Sequence, residues 1–266
     1  MKYVKLVISI LLTLAMLTAS FAVQAETTDA QSWQIDLWYH EAVDLNKTDA
    51  MYNLGCAYQY GDGVEQDNKK AVEWYEKAAD LGDKYAMYNL AWLYENGEGV
   101  TDYKKAVEWY EKTADLDSAD GILRIGILYE NGRGVKQNYK KAIELYQKAA
   151  DLGSANGMYM LGLLYELGRG VKQDNKKSAE WYEKAADLGN MFAMTNLGHL
   201  YQNGQGVKQD YKKAVELYEK AVDLGEDQAM IYLGDMYQYG QGVEKDTEKA
   251  AELHQRAEKI REEQGR

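Results

Sequence analysis

The sequence predicts an all-α solenoid: six helix-pair repeats behind a leading half-repeat. Three observations predict it. The segment Ala50–Val64 returns with helix starts at Ala86, Gly121, Gly157, Ala193 and Ala229, at steps of 36, 35, 36, 36 and 36 residues. A Gly-x-Gly-Val signature stands at Gly61, Gly97, Gly132, Gly168, Gly204 and Gly240. Each copy holds two apolar stripes of helical period, and a pair that small buries its apolar face only by stacking on its neighbours.

The first 25 residues read as an address. Lys2 and Lys5 precede the apolar run Leu6–Leu17, and Val23-Gln24-Ala25 closes it with small side chains at the −3 and −1 positions. This is the layout of a cleaved secretory signal; Thr13, Thr18, Ser20 and Gln24 dilute the stretch as a membrane anchor, the alternative reading. Residues 26–48 form a half-repeat or capping helix, because Trp38-Tyr39 lies 36 residues before Trp74-Tyr75. Residues 49–245 are the array, and 246–266 a C-terminal capping helix and polar tail. Of 24 glycines, all but Gly265 occupy repeat slots, which leaves little chain for a separate catalytic domain.

Within a copy, Ala50, Leu54, Ala57 and Tyr58 share one face of the first helix. Gly55 borders that face and invites close approach of a neighbour. Gly61 sits where this helix must stop, and Gly63 suits a positive backbone angle in the turn. Asp67, Asp102, Asn138, Asp174, Asp210 and Asp246 are placed to cap the second helix. That helix buries Ala71, Trp74, Tyr75, Ala78 and Ala79, and its solvent side carries Glu73 and Lys77 in ion-pair order, as at Glu108/Lys112 and Glu180/Lys184. Gly82, Gly153, Gly189 and Gly225 end it; Asp117 departs from that pattern. The Lys-Lys pairs from Lys69-Lys70 to Lys212-Lys213 read as a solvated face. The last copy has His254 in a tyrosine slot and then turns polar, as an end cap should.

The pattern from the alanine-initiated first helix through Gly-x-Gly-Val to Lys-Ala-Ala-x-x-Gly resembles the Sel-1-like repeat, a relative of the tetratricopeptide repeat, over about residues 33–260. The resemblance implies a right-handed superhelix used as an adaptor for protein contacts, often in exported bacterial proteins. One cysteine-rich bacterial branch is stapled by disulfides and linked to penicillin binding; a chain with the single Cys56 lacks those staples. A cell-wall-associated enzyme or regulator with weak β-lactam recognition is therefore the alternative to a non-catalytic scaffold.

Composition excludes several chemistries. The formal charge is −12, which argues against nucleic acid and anionic membrane as partners. The Gly-x-Gly turns follow a helix, lack Gly-Lys-Ser/Thr and recur six times, so they are turns and not phosphate cradles. Asp62-Gly63 and Asp67-Asn68 suggest a calcium loop, but no other copy has an acid at both places together with the loop spacing calcium needs. His40, His199 and His254 fall in different repeats and form no metal pair. No carboxylate is set apart from its repeat-mates as an acid or base. No cofactor and no metal is expected, and the chain should be a monomer. Cys56 reads as a buried thiol, with an exposed thiol able to bridge two chains as the other option.

What varies between copies carries the functional signal. In the first helix a second stripe, spaced i, i+3, i+7, reads Asn53/Cys56/Tyr60, Asn89/Trp92/Asn96, Arg124/Ile127/Asn131, Met160/Leu163/Leu167, Asn196/His199/Asn203 and Tyr232/Asp235/Tyr239. First helices line the concave side of such solenoids, so this stripe is the expected protein or peptide surface. Asn89, Trp92, Arg124, Ile127, Met160, Leu163, Leu167, His199, Tyr232 and Tyr239 are its binding candidates, apolar in the middle and polar or aromatic outward. Gap filling by Ile127, Leu163 and Leu167 is the competing account. The partner's identity, and a periplasmic, extracellular or host-directed destination, are left open by the sequence.

Overall fold

Every helix start in the array but one is locked by a short polar side chain. In the computed structural model, which describes residues 33–265, Asp67 Oδ1 accepts from the amides of Lys69 (3.0 Å) and Lys70 (3.1 Å), and Asp102, Asn138, Asp174, Asp210 and Asp246 repeat the device. The first helices have their own caps, which the sequence pattern did not single out: Asp83, Ser118, Ser154, Asn190 and Glu226, each bonded to an amide three residues on. Lys47, before the first of them, makes no such bond.

Thirteen helices and no strand result among the described residues. Residues 33–43 form α1. The first helices of the repeats are α2 (Thr48–Tyr60), α4 (Lys84–Asn96), α6 (Ala119–Asn131), α8 (Ala155–Leu167), α10 (Met191–Asn203) and α12 (Asp227–Tyr239). The second helices are α3 (Asn68–Asp80), α5 (Tyr103–Ala114), α7 (Tyr139–Asp151), α9 (Asn175–Asp187), α11 (Tyr211–Asp223) and α13 (Thr247–Glu263). The architecture is an all-α solenoid. The signal segment, residues 1–25, lies outside the described residues.

The chain divides into two compact units, at Lys112 and Thr113 in the last turn of α5. In the first, α1 completes the apolar face of α2 and α3: the Tyr39 ring meets Trp74 edge-on at 5.3 Å, and its hydroxyl reaches that of Tyr58. The second unit stacks α6 to α13 in chain order, each helix packing on the next. Its core runs from Ile122 and Tyr146 through Tyr182 and Tyr218 to Leu253.

One contact recurs through both units and explains the glycine beside the packing stripe. The tyrosine of the second helix lies flat on Gly55, Gly126, Gly162 or Gly198, with its ring where a Cβ would stand. Tyr75, Tyr110, Tyr146, Tyr182 and Tyr218 are wholly buried. Their hydroxyls donate to a polar side chain of the first helix: Gln59 (2.7 Å), Glu95 (2.9 Å), Glu130 (2.7 Å), Glu166 (2.6 Å) and Gln202 (2.8 Å). In the last repeat His254 takes the place of tyrosine over Gly234 and pairs with Asp235 at 3.2 Å. Because glutamine serves the same slot twice, Glu130→Gln should leave unfolding free energy within about 0.5 kcal/mol of the parent. Tyr146→Phe should cost about 0.5–1.5 kcal/mol, the worth of the lost hydrogen bond, since Arg169 still pairs with the Glu130 carboxylate at 3.5 Å. Urea titration of the two variants checks this.

The ion pairs expected along the second helices are not formed at Lys77, Lys112 and Lys184. Their ammonium groups lie instead over the indoles of Trp74, Trp109 and Trp181, at 3.9, 3.4 and 4.0 Å. An aromatic face three residues upstream holds the lysine stem on the helix and competes with the glutamate. The Lys-Lys pairs lie at the surface, and the second lysine of four of the five (Lys70, Lys105, Lys177, Lys213) also covers Tyr58, Tyr94, Tyr165 or Tyr201 at 4.4 to 5.3 Å.

Repeat two, one residue short, closes its turn differently. In repeats one, three, four and five a glutamine before the cap (Gln66, Gln137, Gln173, Gln209) donates to a carbonyl seven residues back. Repeat two lacks that residue, and Thr101 Oγ1 donates to the Gly97 carbonyl at 2.8 Å instead. At the end of α5, Asp117 takes the left-handed conformation, φ 55°, that glycines hold in the matching slots. Asp117→Gly should therefore raise stability by about 0.5–1 kcal/mol, read as a higher melting temperature.

Candidate binding face

The variable stripe resolves into three rows of different exposure. Its first slot is half-buried in every copy, and at Asn89, Met160, Asn196 and Tyr232 it engages the preceding repeat. Asn89 Nδ2 donates to Tyr52 (3.4 Å) and Tyr75 (3.3 Å), and Asn196 Nδ2 to Tyr182 (3.1 Å). Tyr232 lays its ring 5.4 Å from that of Tyr218. Arg124 and Met160 occupy the same slot, also half-buried, and Met160 packs on the core of the third and fourth repeats. Asn89, Met160, Asn196 and Tyr232 thus join successive repeats.

The middle slot is half-buried too. Ile127 and Leu163 pack against core residues, so gap filling describes part of their role. His199 stacks on Tyr232 across the repeat boundary, centroids 5.5 Å apart and rings 29° from parallel. Trp92 stands in the first unit on α4, half-buried, and its carbonyl accepts from Asn96 Nδ2 at 3.2 Å. Cys56 is a half-buried free thiol whose sulfur accepts from the Tyr75 hydroxyl at 3.2 Å, neither sealed in the core nor fully open.

The last slot is exposed in all six copies: Tyr60, Asn96, Asn131, Leu167, Asn203 and Tyr239. Leu167 is 53% and Tyr239 70% exposed, and Tyr60 in the first unit 65%. Asn131 and Asn203 each donate to a carbonyl four residues back, at 2.9 Å, which leaves their Oδ1 atoms as outward acceptors. Within the second unit the structure thus brings Ile127, Met160, Leu163, His199 and Tyr232 into a half-buried floor, with Leu167 and Tyr239 standing above it. Asn89 and Trp92 belong to the first unit.

Burial dominates the electrostatics beneath the face. It pushes the hydroxyls of Tyr146 and Tyr182 far above the ordinary tyrosine value, and the neighbouring Glu130 and Glu166 add to the effect. Tyr52 is pushed up to about 12, first by burial and then by Cys56. The acceptors Glu95 and Glu130 were not identified from sequence. The available signal was a polar residue recurring between the tyrosine and the exposed slot of every first helix. Among the described residues, no group of three or more His, Cys, Asp and Glu is arranged to hold a metal ion. No helix among them is long and apolar enough to cross a membrane.

A solenoid of tandem helix pairs with a variable face defines a repeat scaffold, and comparison specifies which. The Sel1 repeat profile matches residues 48–83, 84–118, 119–154, 155–190, 192–226 and 227–259, so the chain belongs to the Sel1 repeat family. A Sel1 repeat protein from Oxalobacter formigenes is similar over 87% of this chain and 96% of its own, at 35% identity and TM-score 0.77. A protective antigen present in uropathogenic Escherichia coli strains, displaying the same repeat fold, is 31% identical over 85% of this chain, TM-score 0.76. The present chain spans about half (48%) of that antigen's structure. An immunity protein, Pa5087 from Pseudomonas aeruginosa, aligns over 80% of this chain and 81% of its own at 26% identity and TM-score 0.52. No curated protein matches the sequence significantly. Sel1 repeats typically mediate protein interactions, and the family is generally one of non-catalytic scaffolds.

Proposed function

We propose that the chain is an exported, non-catalytic scaffold that holds a protein or peptide segment on the first-helix stripe of its second unit. The observation that supports this most is the exposed row. Slots on the packing face stay small, aliphatic or tyrosine from repeat to repeat, whereas this row changes from asparagine to leucine to tyrosine and leaves large side chains in solvent. An apolar side chain with no core to fill, flanked by hydrogen-bonding groups, suits a recognition anchor. The half-buried floor of Ile127, Met160 and Leu163 supplies the apolar ground beneath it.

Export rests on residues 1–25. Mass spectrometry of the protein from a secreting host should find a chain beginning at Glu26, and a retained Met1 would reject the assignment. Binding is tested with residues 26–266 carrying a photoreactive side chain at position 167 or 239. Each should give a discrete crosslink to the same partner in the extracytoplasmic fraction. Leu167→Ala plus Tyr239→Ala, both at exposed sites, should abolish capture without loss of helicity. Undiminished capture by that double variant places the binding surface elsewhere.

A further inference from the structure

The net charge of −12 conceals a strip of opposite sign. Between the first and second helices of repeats three, four and five, residues 131–141 carry four cations and no acid. Residues 167–177 carry four cations and one acid, and 203–213 three cations and one acid, a net of +9. The equivalent residues 60–70, 96–105 and 239–249 of the other repeats have net charges of −1, 0 and −1. The net excess, not the Lys-Lys pair, is confined to three consecutive copies within one unit: the pair recurs in repeats one to five, whereas Lys136, Lys172 and Lys208 stand where repeats one and six have Glu65 and Glu244.

Packing makes these segments contiguous. Gly170 lies so near Tyr139 that an added Cβ would stand 2.5 Å from the tyrosine Cβ, and Gly206 rests on the backbone of Asn175 and Lys176. The loops of Gly170 and Gly206 therefore sit on the first turns of α7 and α9, which places the three basic segments side by side. Lys136, Lys172 and Lys208 repeat at one position of this stack, Lys140, Lys176 and Lys212 at another. All six are exposed, and none has a carboxylate within 4.0 Å. The second lysines differ, lying over tyrosines or, like Lys141 and Lys213, beside glutamates. Lys140, Lys176 and Lys212 also occupy the first turns of α7, α9 and α11, where the helix dipole disfavours a cation. Neither packing nor helix stability accounts for them.

We propose that this strip binds a linear polyanion, a polymer with regularly spaced phosphate or sulfate groups. Two rows of cations repeating once per helix pair match a chain of evenly spaced anions. Lysine, a mobile point charge, suits oxyanions whose geometry is not fixed. The lysines of the strip are other residues than those of the first-helix stripe, so either assignment can fail without the other.

The test uses residues 26–266 and two probes, fluorescently labelled inorganic polyphosphate and heparin, followed by anisotropy against salt. Binding at low salt to one or both should weaken steeply as salt rises, with a logarithmic slope of roughly −4 for six contacts. The stronger probe identifies phosphate or sulfate as the preferred group. Lys140→Glu, Lys176→Glu and Lys212→Glu together should weaken binding by more than about tenfold, while Lys69→Glu plus Lys104→Glu, the same slot in repeats one and two, should change it less than about twofold. No binding of either probe overturns the proposal, as does equal weakening by the two sets of substitutions. Failure of both probes together with salt-sensitive self-association in sedimentation, lost in the triple variant, would assign the strip to acids of a second copy.

Discussion

Raising the pH above about 10 should unfold the second unit steeply. Tyr146, Tyr182 and Tyr218 are wholly buried, and burial, aided by nearby Glu130 at Tyr146 and Glu166 at Tyr182, holds their hydroxyls far above the value of about 10 found in an unfolded chain. The folded state therefore keeps three protons that the unfolded state releases. The stability these groups confer is complete below about pH 10 and is lost as pH climbs toward the folded values. The loss approaches about 1.4 kcal/mol per group per pH unit, or roughly 4 kcal/mol for the three. A domain stability on the order of 10 kcal/mol would be exhausted within two to three units. Helical circular dichroism and tyrosinate absorbance should change together, and Tyr182→Phe should make the decline shallower by about a third. Tyrosines that ionise near pH 10 while the helices persist would contradict the burial described above.

Gly206→Ala should be the most damaging single-methyl addition in the array. The residue holds φ +70°, where alanine incurs about 1–2 kcal/mol, and its new Cβ would strike the Asn175 carbonyl and stand 2.5 Å from the Lys176 nitrogen. Backbone in the first turn of a packed helix cannot swing aside as a side-chain tip can. Overpacking of this kind adds about 1–3 kcal/mol, for a total of about 2–5 kcal/mol. Gly225→Ala is the control: its φ is +87°, and nothing lies within 4 Å of the added carbon, so only the conformational part, about 1–2 kcal/mol, applies. Urea midpoints of the two variants separate the terms; equal losses would mean that the loop does not seat on the neighbouring helix.

These contrasts show which parts of the molecule local pattern could reveal. Helix pairs, their caps at Asp67 and its counterparts, and the left-handed glycines ending first helices follow from interactions within a few residues, and the sequence displays them directly. Gly55 was recognisable as a point of close approach, and the structure supplies what approaches it, the face of Tyr75. Lys77 was not legible in the same way. Its choice between Glu73 one turn back and the Trp74 indole depends on how the ring is held, and helical spacing permits both.

The candidate face was legible as variation and illegible as exposure. Spacing placed Asn196, His199 and Asn203 on one stripe with equal standing. In the folded chain Asn196 reaches Tyr182 of the preceding repeat, His199 stacks on Tyr232 of the following one, and Asn203 remains open.

By itself, then, the sequence determined the repeat, its period, its family and the helices that present a variable stripe, because these depend on recurring residue types and short-range backbone chemistry. Tertiary structure alone decided which slots of that stripe meet solvent, which lysines are occupied by aromatic rings, and that three basic loops form one strip. Those properties depend on how side chains are held in the fold: the lysine–ring contacts lie within one repeat, while the strip arises between residues about 30 positions apart in neighbouring repeats.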